Sequence, residues 1–182
     1  ISTLIFDVDG VLTDGMVTIM PNGEQLRSLN SKDGFAIQLA IRKGLRVCVI
    51  TGGNSEAVKN ALKRLGIEDV YLKVANKIDC YDDIKVMYDL EDSEIMYMGD
   101  DLPDFEVMKT VGLPACPQNA AREILDISKY ISDTDGGKGC ARDIIEKVLR
   151  AKGLWMESSK DLRRPTNWLD FETLCCKLWG EI

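Results

Sequence analysis

Four short apolar runs recur along the chain, and residues with polar side chains follow each of them. Short runs of this length, bounded by glycine and charged residues, are typical of buried strands. The runs at 5–6, 47–50, 70–72 and 95–98 lead, in order, to Asp7 with Asp9, to Thr51, to Lys77, and to Asp100 with Asp101.

Helical patterns separate these runs, so the periodicity changes repeatedly between strand and helix. We predict strands at 3–8, 46–50, 70–72, 94–98, 113–115 and 130–131, and helices at 33–43, 55–65, 76–88, 102–110, 120–125 and 139–152. Residues 17–20 and 25–29 are predicted to form a β-hairpin because Asn22-Gly23 favours a tight turn. Strands that alternate with helices predict an α/β fold with a doubly wound parallel sheet.

The predicted elements form one core domain at 1–153, with the hairpin at 16–30, followed by a tail at 154–182. The tail carries Trp155, Trp168 and Trp179, so we expect it to dock on the core or on a neighbouring subunit, with a short helix at 166–178. Residues 15–50 and 52–76 are filled by predicted core elements and the hairpin. The chain therefore has no room for an additional domain that could cover a site.

An uncovered site is open to water and selects poorly among substrates. We expect a neighbouring subunit to supply the cover, with the hairpin at 17–29 in the contact between subunits. The alternative is that the hairpin is a flap that folds over the site of its own chain.

In an open parallel sheet, ligands bind at the carboxyl ends of the strands, where the four polar groups are predicted to lie. Acids, a hydroxyl and a lysine at one edge suit a divalent cation and a phosphate group. Asp7 can attack phosphorus as a nucleophile, and Asp9 can act as the general acid and base. Asp100 is predicted to bind the metal, and Asp101 is a weaker candidate for a ligand or for orienting Lys77.

Each of these elements also has an ordinary structural explanation. An Asp-x-Asp after a strand is frequently a solvated loop or a helix cap, Thr51-Gly52-Gly53 is a common turn, and residues 99–101 suit a helix cap. The coincidence of four strand ends in one order favours the joint catalytic interpretation.

This order resembles the haloacid dehalogenase superfamily of phosphatases over positions 3–152, most specifically at 7–15. More narrowly, it is similar to the 3-deoxy-D-manno-octulosonate (KDO) 8-phosphate phosphatases, at 30–34, 76–77, 99–104 and 136–143. The resemblance implies that Mg2+ is bound by Asp7, by the backbone carbonyl of Asp9 and by Asp100, and that the enzyme is a homotetramer. Thr51, Gly52 and Lys77 would bind phosphate, and Asn30, Ser31, Lys32, Asp33 and Gly34 would contact the substrate.

The function predicted from these features is Mg2+-dependent hydrolysis of KDO 8-phosphate through an aspartyl-phosphate. The chain departs from the family pattern at Gln38, Gly53 and Ala61, where many relatives carry arginine. Two alternatives are a phosphatase for a nine-carbon sugar acid 9-phosphate and a receiver-like module that only accepts a phosphoryl group. In receivers the paired acids come first and the accepting acid lies in mid-chain, so the order here favours a phosphatase.

Composition and net charge exclude several classes of binding partner. The net charge of -7 argues against binding to nucleic acid, and the absence of histidine excludes imidazole bases and histidine-ligated zinc. The six cysteines contain no CxxC pair, which favours free thiols in a reducing, cytoplasmic compartment. No apolar run reaches about 18 residues, so we expect no membrane partner.

Overall fold

In the computed structural model, residues 1–156 and residue 161 are described. Six parallel strands form the central sheet in the order β5-β4-β1-β6-β7-β8. A separate antiparallel pair, β2 and β3, forms the hairpin. The strands are β1 Thr3–Phe6, β2 Thr18–Ile19, β3 Gln25–Leu26, β4 Arg46–Ile50, β5 Asp69–Tyr71, β6 Ile95–Met98, β7 Leu113–Cys116 and β8 Tyr130–Ile131.

Within residues 1–156, six α-helices connect or flank these strands, and two of them begin at capping side chains. The side chain of Asn30 accepts a hydrogen bond from the backbone of Lys32 at the start of α1, and Ser55 caps α2 through the backbone N–H of Val58. The helices are α1 Ser31–Arg42, α2 Glu56–Arg64, α3 Lys77–Tyr88, α4 Phe105–Thr110, α5 Arg122–Ile127 and α6 Cys140–Ala151.

The core consists of two apolar layers, one on each face of the sheet. Within β1, Leu4 and Phe6 belong to the layer shared with α1 and α6, whereas Ile5 belongs to the layer shared with α3, α4 and α5. This division follows from the alternation of side chains along a strand. Burial on both faces explains why the central strands are continuously apolar in sequence.

The predicted doubly wound sheet is confirmed, and every predicted strand and helix within the described residues is present, with ends at or within a few residues of the predicted ones. The tight loop over Val8–Leu12 was not predicted. The predicted helix at 166–178 lies outside the described residues. Among the described residues, no helix is both long and apolar enough to cross a membrane. Cys48, Cys80, Cys116 and Cys140 are free thiols, as predicted.

Asp33 links α1 to α6 within the core. Its Oδ1 accepts a hydrogen bond of 2.7 Å from the backbone N–H of Arg142, in the first turn of α6. Its Oδ2 is buried and has no hydrogen-bond partner among the described residues. Burial raises the pKa of Asp33 to about 6, against the stabilising effect of that hydrogen bond. The folded chain therefore binds this proton more tightly than the unfolded chain does.

Asp33→Asn is expected to change how stability depends on pH. A raised folded-state pKa stabilises the wild type below the unfolded value of 3.8, and this contribution is lost as the pH rises to about 6. Asparagine keeps a carbonyl acceptor but carries no charge. Relative to Asp33→Asn, the wild type should therefore lose about 1–3 kcal/mol of unfolding free energy across this window and no more above it.

Urea unfolding at a series of pH values measures this difference directly, because all other titrating groups are common to both proteins. Asp126→Asn, at an exposed aspartate, is the matched control and should show a flat difference. A difference between the wild type and Asp33→Asn that does not vary with pH would contradict the buried-carboxyl interpretation.

Candidate active site

The predicted catalytic residues meet at the carboxyl edge of the sheet. β1 pairs with β4 on one side and with β6 on the other, so Asp7 lies between the ends of those two neighbours. The backbone N–H of Asp7 donates to the carbonyl of Met98, at 3.0 Å, and continues the strand pairing up to the site. The chain adds β4 and β5 on one side of β1, and then β6, β7 and β8 on the other side. The carboxyl end of β1 is therefore the switch point at which open α/β sheets bind ligands.

The loop over Val8–Leu12 fixes Asp7 and brings Asp100 close to it. Asp7 Oδ1 accepts a hydrogen bond of 2.7 Å from the backbone N–H of Val8. Gly10 has a φ of +89°, and a Cβ at this position would overlap the carboxylate of Asp100. Glycine is therefore required both for the backbone conformation and for the space that Asp100 occupies.

Lys77, the first residue of α3, connects two buried carboxylates. Its Nζ lies 2.9 Å from Asp7 Oδ2 and 2.7 Å from Asp104 Oδ1. Burial alone would lower the pKa of Lys77, but the charges of Asp7 and Asp104 outweigh it and raise the pKa. The ammonium group is thus held in its charged form at the centre of the site.

Asp104 is a site residue that the sequence reasoning missed. Its Oδ1 also accepts a hydrogen bond of 2.6 Å from the hydroxyl of Tyr97, and its Oδ2 accepts from the backbone N–H of Asp100 at 3.2 Å. Asp101 was a candidate for orienting Lys77, but its side chain caps the following turn through the N–H of Leu102. Asp104 takes the orienting role instead, because the turn directs its carboxylate into the core.

Negative charge is concentrated around Asp7 and Asp100. Burial, together with the charge of Asp104, raises the pKa of Asp7 to about 7, although Lys77 opposes the shift. Burial and the charges of Asp7 and Asp104 likewise raise the pKa of Asp100 to about 7. A cation bound between these two carboxylates would favour their ionised forms and oppose both shifts.

The donor set fits a hard divalent cation. Asp7, Asp100 and Asp104 each offer a carboxylate oxygen, and these three oxygens lie within 4.8 Å of one another. Asp100 Oδ1 is buried without a partner among the described residues. Asp104 is already engaged by Lys77, Tyr97 and a backbone amide. Asp7 and Asp100 are therefore the side chains best placed to hold Mg2+, which favours carboxylate oxygens.

Asp9 faces a different partner from the other acids. Its Oδ1 accepts from Arg27 Nε at 2.7 Å, and its Oδ2 accepts from Arg27 Nη2 at 3.2 Å. The sequence does not single out Arg27, because it follows β3 in a hairpin that is predicted to contact another subunit. No periodic or motif signal distinguishes this arginine from an exposed hairpin residue.

The predicted phosphate-binding residues lie beside this pair. Thr51 is buried at the end of β4, and its Oγ1 accepts a hydrogen bond of 3.0 Å from the backbone N–H of Gly53. Thr51 and Gly53 line one pocket with Asp9 and Arg27. Gly52 lies in the same turn, and phosphate binding by Thr51, Gly52 and Lys77 stays a prediction.

The predicted substrate-contacting segment packs partly into the scaffold. Asn30 Nδ2 donates to the carbonyl of Gly137 at 3.2 Å, and Asp33 faces the start of α6. Ser31 and Lys32 are exposed, whereas Gly34 is buried. The structure gives Asn30 and Asp33 structural hydrogen bonds, and the contacts of this segment with substrate stay a prediction.

Known proteins are similar to this chain in both sequence and fold. The chain is 34% identical over 153 residues to the 3-deoxy-D-manno-octulosonate 8-phosphate phosphatase KdsC of Salmonella typhi, covering 84% of this chain and 81% of that protein. A probable YrbI family phosphatase from Pseudomonas syringae pv. phaseolica superposes with a TM-score of 0.86 at 34% identity, covering 91% of this chain and 94% of that one.

A third similar protein was solved with ligands. The 3-deoxy-D-manno-octulosonate 8-phosphate phosphatase of Moraxella catarrhalis, in complex with magnesium, phosphate and KDO, superposes with a TM-score of 0.82 at 28% identity. The match covers 85% of this chain and 89% of that one. Residues 69–144 match the family described as haloacid dehalogenase-like hydrolase. From its strand-end acids, its fold and these similarities together, the chain belongs to the haloacid dehalogenase-like hydrolase family.

Proposed function

We propose that this chain is a Mg2+-dependent phosphatase that hydrolyses KDO 8-phosphate to KDO and inorganic phosphate. The observation that carries the proposal is the convergence of Asp7, Lys77 and Asp100 at the switch point of the sheet, with Asp7 Oδ2 2.9 Å from Lys77 Nζ. The relatives named above as KDO 8-phosphate phosphatases support the choice of sugar.

In the first step, a carboxylate oxygen of Asp7 attacks phosphorus, and the bond from phosphorus to the sugar oxygen breaks. Asp9 donates a proton to the departing sugar oxygen. In the second step, Asp9 accepts a proton from water, and that water attacks phosphorus and releases phosphate from Asp7. Each step needs Asp9 within reach of the reacting oxygen, on the same loop as the nucleophile.

Lys77 and Thr51 act on the oxygens that do not react. The ammonium group of Lys77 and the hydroxyl of Thr51 would hold these oxygens and stabilise the charge that develops on them. Asp104 keeps Lys77 in place through its contact of 2.7 Å, and Tyr97 in turn orients Asp104. Asp7, Asp100 and the backbone carbonyl of Asp9 would hold Mg2+, which when bound offsets the repulsion between the nucleophile and the phosphate.

A panel of phosphorylated sugar acids tests the proposed substrate. With Mg2+ present, kcat/KM for KDO 8-phosphate should exceed that for a nine-carbon sugar acid 9-phosphate and for p-nitrophenyl phosphate by about tenfold or more.

Asp7→Asn should lower turnover by orders of magnitude, because the amide is not an anionic nucleophile. Asp126→Asn, at an exposed site, is the matched control.

Three results would contradict this assignment. Retention of more than about a tenth of wild-type turnover in a folded Asp7→Asn protein would exclude Asp7 as the nucleophile. Higher kcat/KM for the nine-carbon ester would assign the alternative sugar. A stable phosphoryl-protein without release of phosphate would favour the receiver-like alternative.

Removal of the metal is expected to abolish activity, and added Mg2+ should restore it. In the absence of substrate, Mg2+ should also raise the thermal midpoint of the wild type, because binding to the folded state alone stabilises it. Asp100→Ala should lose this thermal shift as well as turnover, whereas Asp126→Asn should keep both. Full activity in excess chelator would refute the metal assignment.

We also propose that the chain assembles into a homo-oligomer, expected to be a tetramer, with the hairpin at the contact between subunits. The support is an exposed apolar surface on the hairpin, together with the absence of a cap domain from the part of the chain that the structure describes. Ile19 has 73% of its surface exposed, and Met16, Val17, Met20, Leu26 and Leu29 are exposed beside it.

Ile19→Asp and Val17→Asp are expected to dissociate this assembly, because burying an unpaired charge in an interface is costly. Activity should fall more for KDO 8-phosphate than for p-nitrophenyl phosphate. Val86→Asp places the same charge at another exposed apolar site, on α3, and should leave the assembly intact. Light scattering measures the mass, and a wild-type monomer with full selectivity for the sugar ester would refute the assembly.

A further inference from the structure

Arg27 points inwards from a hairpin whose other residues are largely exposed. Its side chain is 8% exposed, whereas Gln25 and Leu26, immediately before it, are exposed. Burial of a charged side chain in an otherwise solvated hairpin requires a compensating partner. Asp9 is that partner, and the guanidinium meets both of its carboxylate oxygens in a bidentate arrangement.

Arg27 lines the same pocket as Thr51. The same pocket is lined by Asp9 and Gly53, and a Cβ on Gly53 would lie 3.6 Å from Asp9 Oδ2. Residue 53 has no side chain beside the carboxylate of Asp9, and Arg27 contacts that carboxylate from the hairpin. Arg27 thus lies beside two groups assigned to the reaction, the proposed acid and base and a proposed phosphate ligand.

Among the described residues, the two cations at the site, Lys77 and Arg27, are both already paired with carboxylates. Lys77 is already shared by Asp7 and Asp104, at 2.9 and 2.7 Å. Asp9 must be free of bidentate pairing to reach the leaving oxygen. Its side chain is 34% exposed, so its pairing with Arg27 is partly solvated and can be exchanged for another anion.

We propose that Arg27 is a further phosphate-binding residue of this site. When the substrate binds, the guanidinium moves from the carboxylate of Asp9 to oxygens of the phosphoryl group that do not react. A guanidinium fork matches phosphate as well as it matches carboxylate, so one bidentate contact replaces the other. The exchange releases Asp9 for proton transfer. This inference rests on the proposed phosphatase chemistry but not on the identity of the sugar.

Binding of inorganic phosphate in the presence of Mg2+, measured by calorimetry, tests the proposal. Arg27→Gln should weaken phosphate binding by about tenfold or more, because a charge-assisted contact is lost. Arg27→Lys keeps the charge without the fork and should fall between the wild type and Arg27→Gln. Glu24→Gln changes an exposed charge in the same hairpin and should bind phosphate like the wild type.

A parallel titration with free KDO separates the two anionic groups of the substrate. Arg27→Gln should bind KDO, which has only the carboxylate, as tightly as the wild type does. A loss of KDO binding with unchanged phosphate binding would assign Arg27 to the sugar acid and overturn the proposal. Unchanged phosphate affinity in both Arg27 variants would show that the arginine only neutralises Asp9, and would overturn it as well.

Folding of each variant is checked by circular dichroism, and Arg27→Lys alone decides the question if Arg27→Gln does not fold. A wild type that binds phosphate and hydrolyses p-nitrophenyl phosphate but no sugar-acid ester would refute the proposed substrate only. The comparison of phosphate affinities between Arg27→Lys and the wild type would still decide the role of Arg27.

Discussion

The ion pairs of the buried Lys77 ammonium group are the interaction on which the candidate site depends. Asp7 and Asp104 lie close enough to repel each other, and Lys77 between them compensates both. Removing one member of such a buried set leaves an uncompensated charge, which is far more costly than the set itself. The hydroxyl of Tyr97 and the backbone amide of Asp100 complete the hydrogen bonding of Asp104, so the arrangement is fixed before any ligand binds.

The parts of the site that sequence reasoning predicted are those determined locally. Asp7, Thr51 and Asp100 each follow a buried strand, and the geometry of a parallel sheet brings strand ends to one edge whatever the loops do. Asp104 depends on a long-range contact with Lys77, and its only local signal is its spacing from Asp101 in a capped turn. That spacing predicts a turn, but it does not predict that Asp104 accepts a hydrogen bond from Lys77, which lies 27 residues earlier.

The hairpin shows a second reason why sequence patterns are incomplete. Its exposed apolar residues were recognisable as a surface in need of a partner, but Arg27 on the same hairpin turns towards its own chain. Tertiary contacts decide how a short two-stranded hairpin packs against the rest of the chain, and these contacts produce no periodic pattern in the sequence. The same limit applies to Asn30 and Asp33, whose hydrogen bonds reach Gly137 and Arg142 more than a hundred residues later.

The close approach of Gly10 and Asp100 also constrains how this sequence can evolve. The carboxylate of Asp100 occupies the volume that a Cβ on residue 10 would need, so the two positions cannot vary independently. A lineage that acquires alanine at position 10 must displace the carboxylate, and with it a proposed metal ligand. Loss of glycine at this position in a diverged copy would therefore indicate that catalysis is no longer under selection, even if the fold is retained.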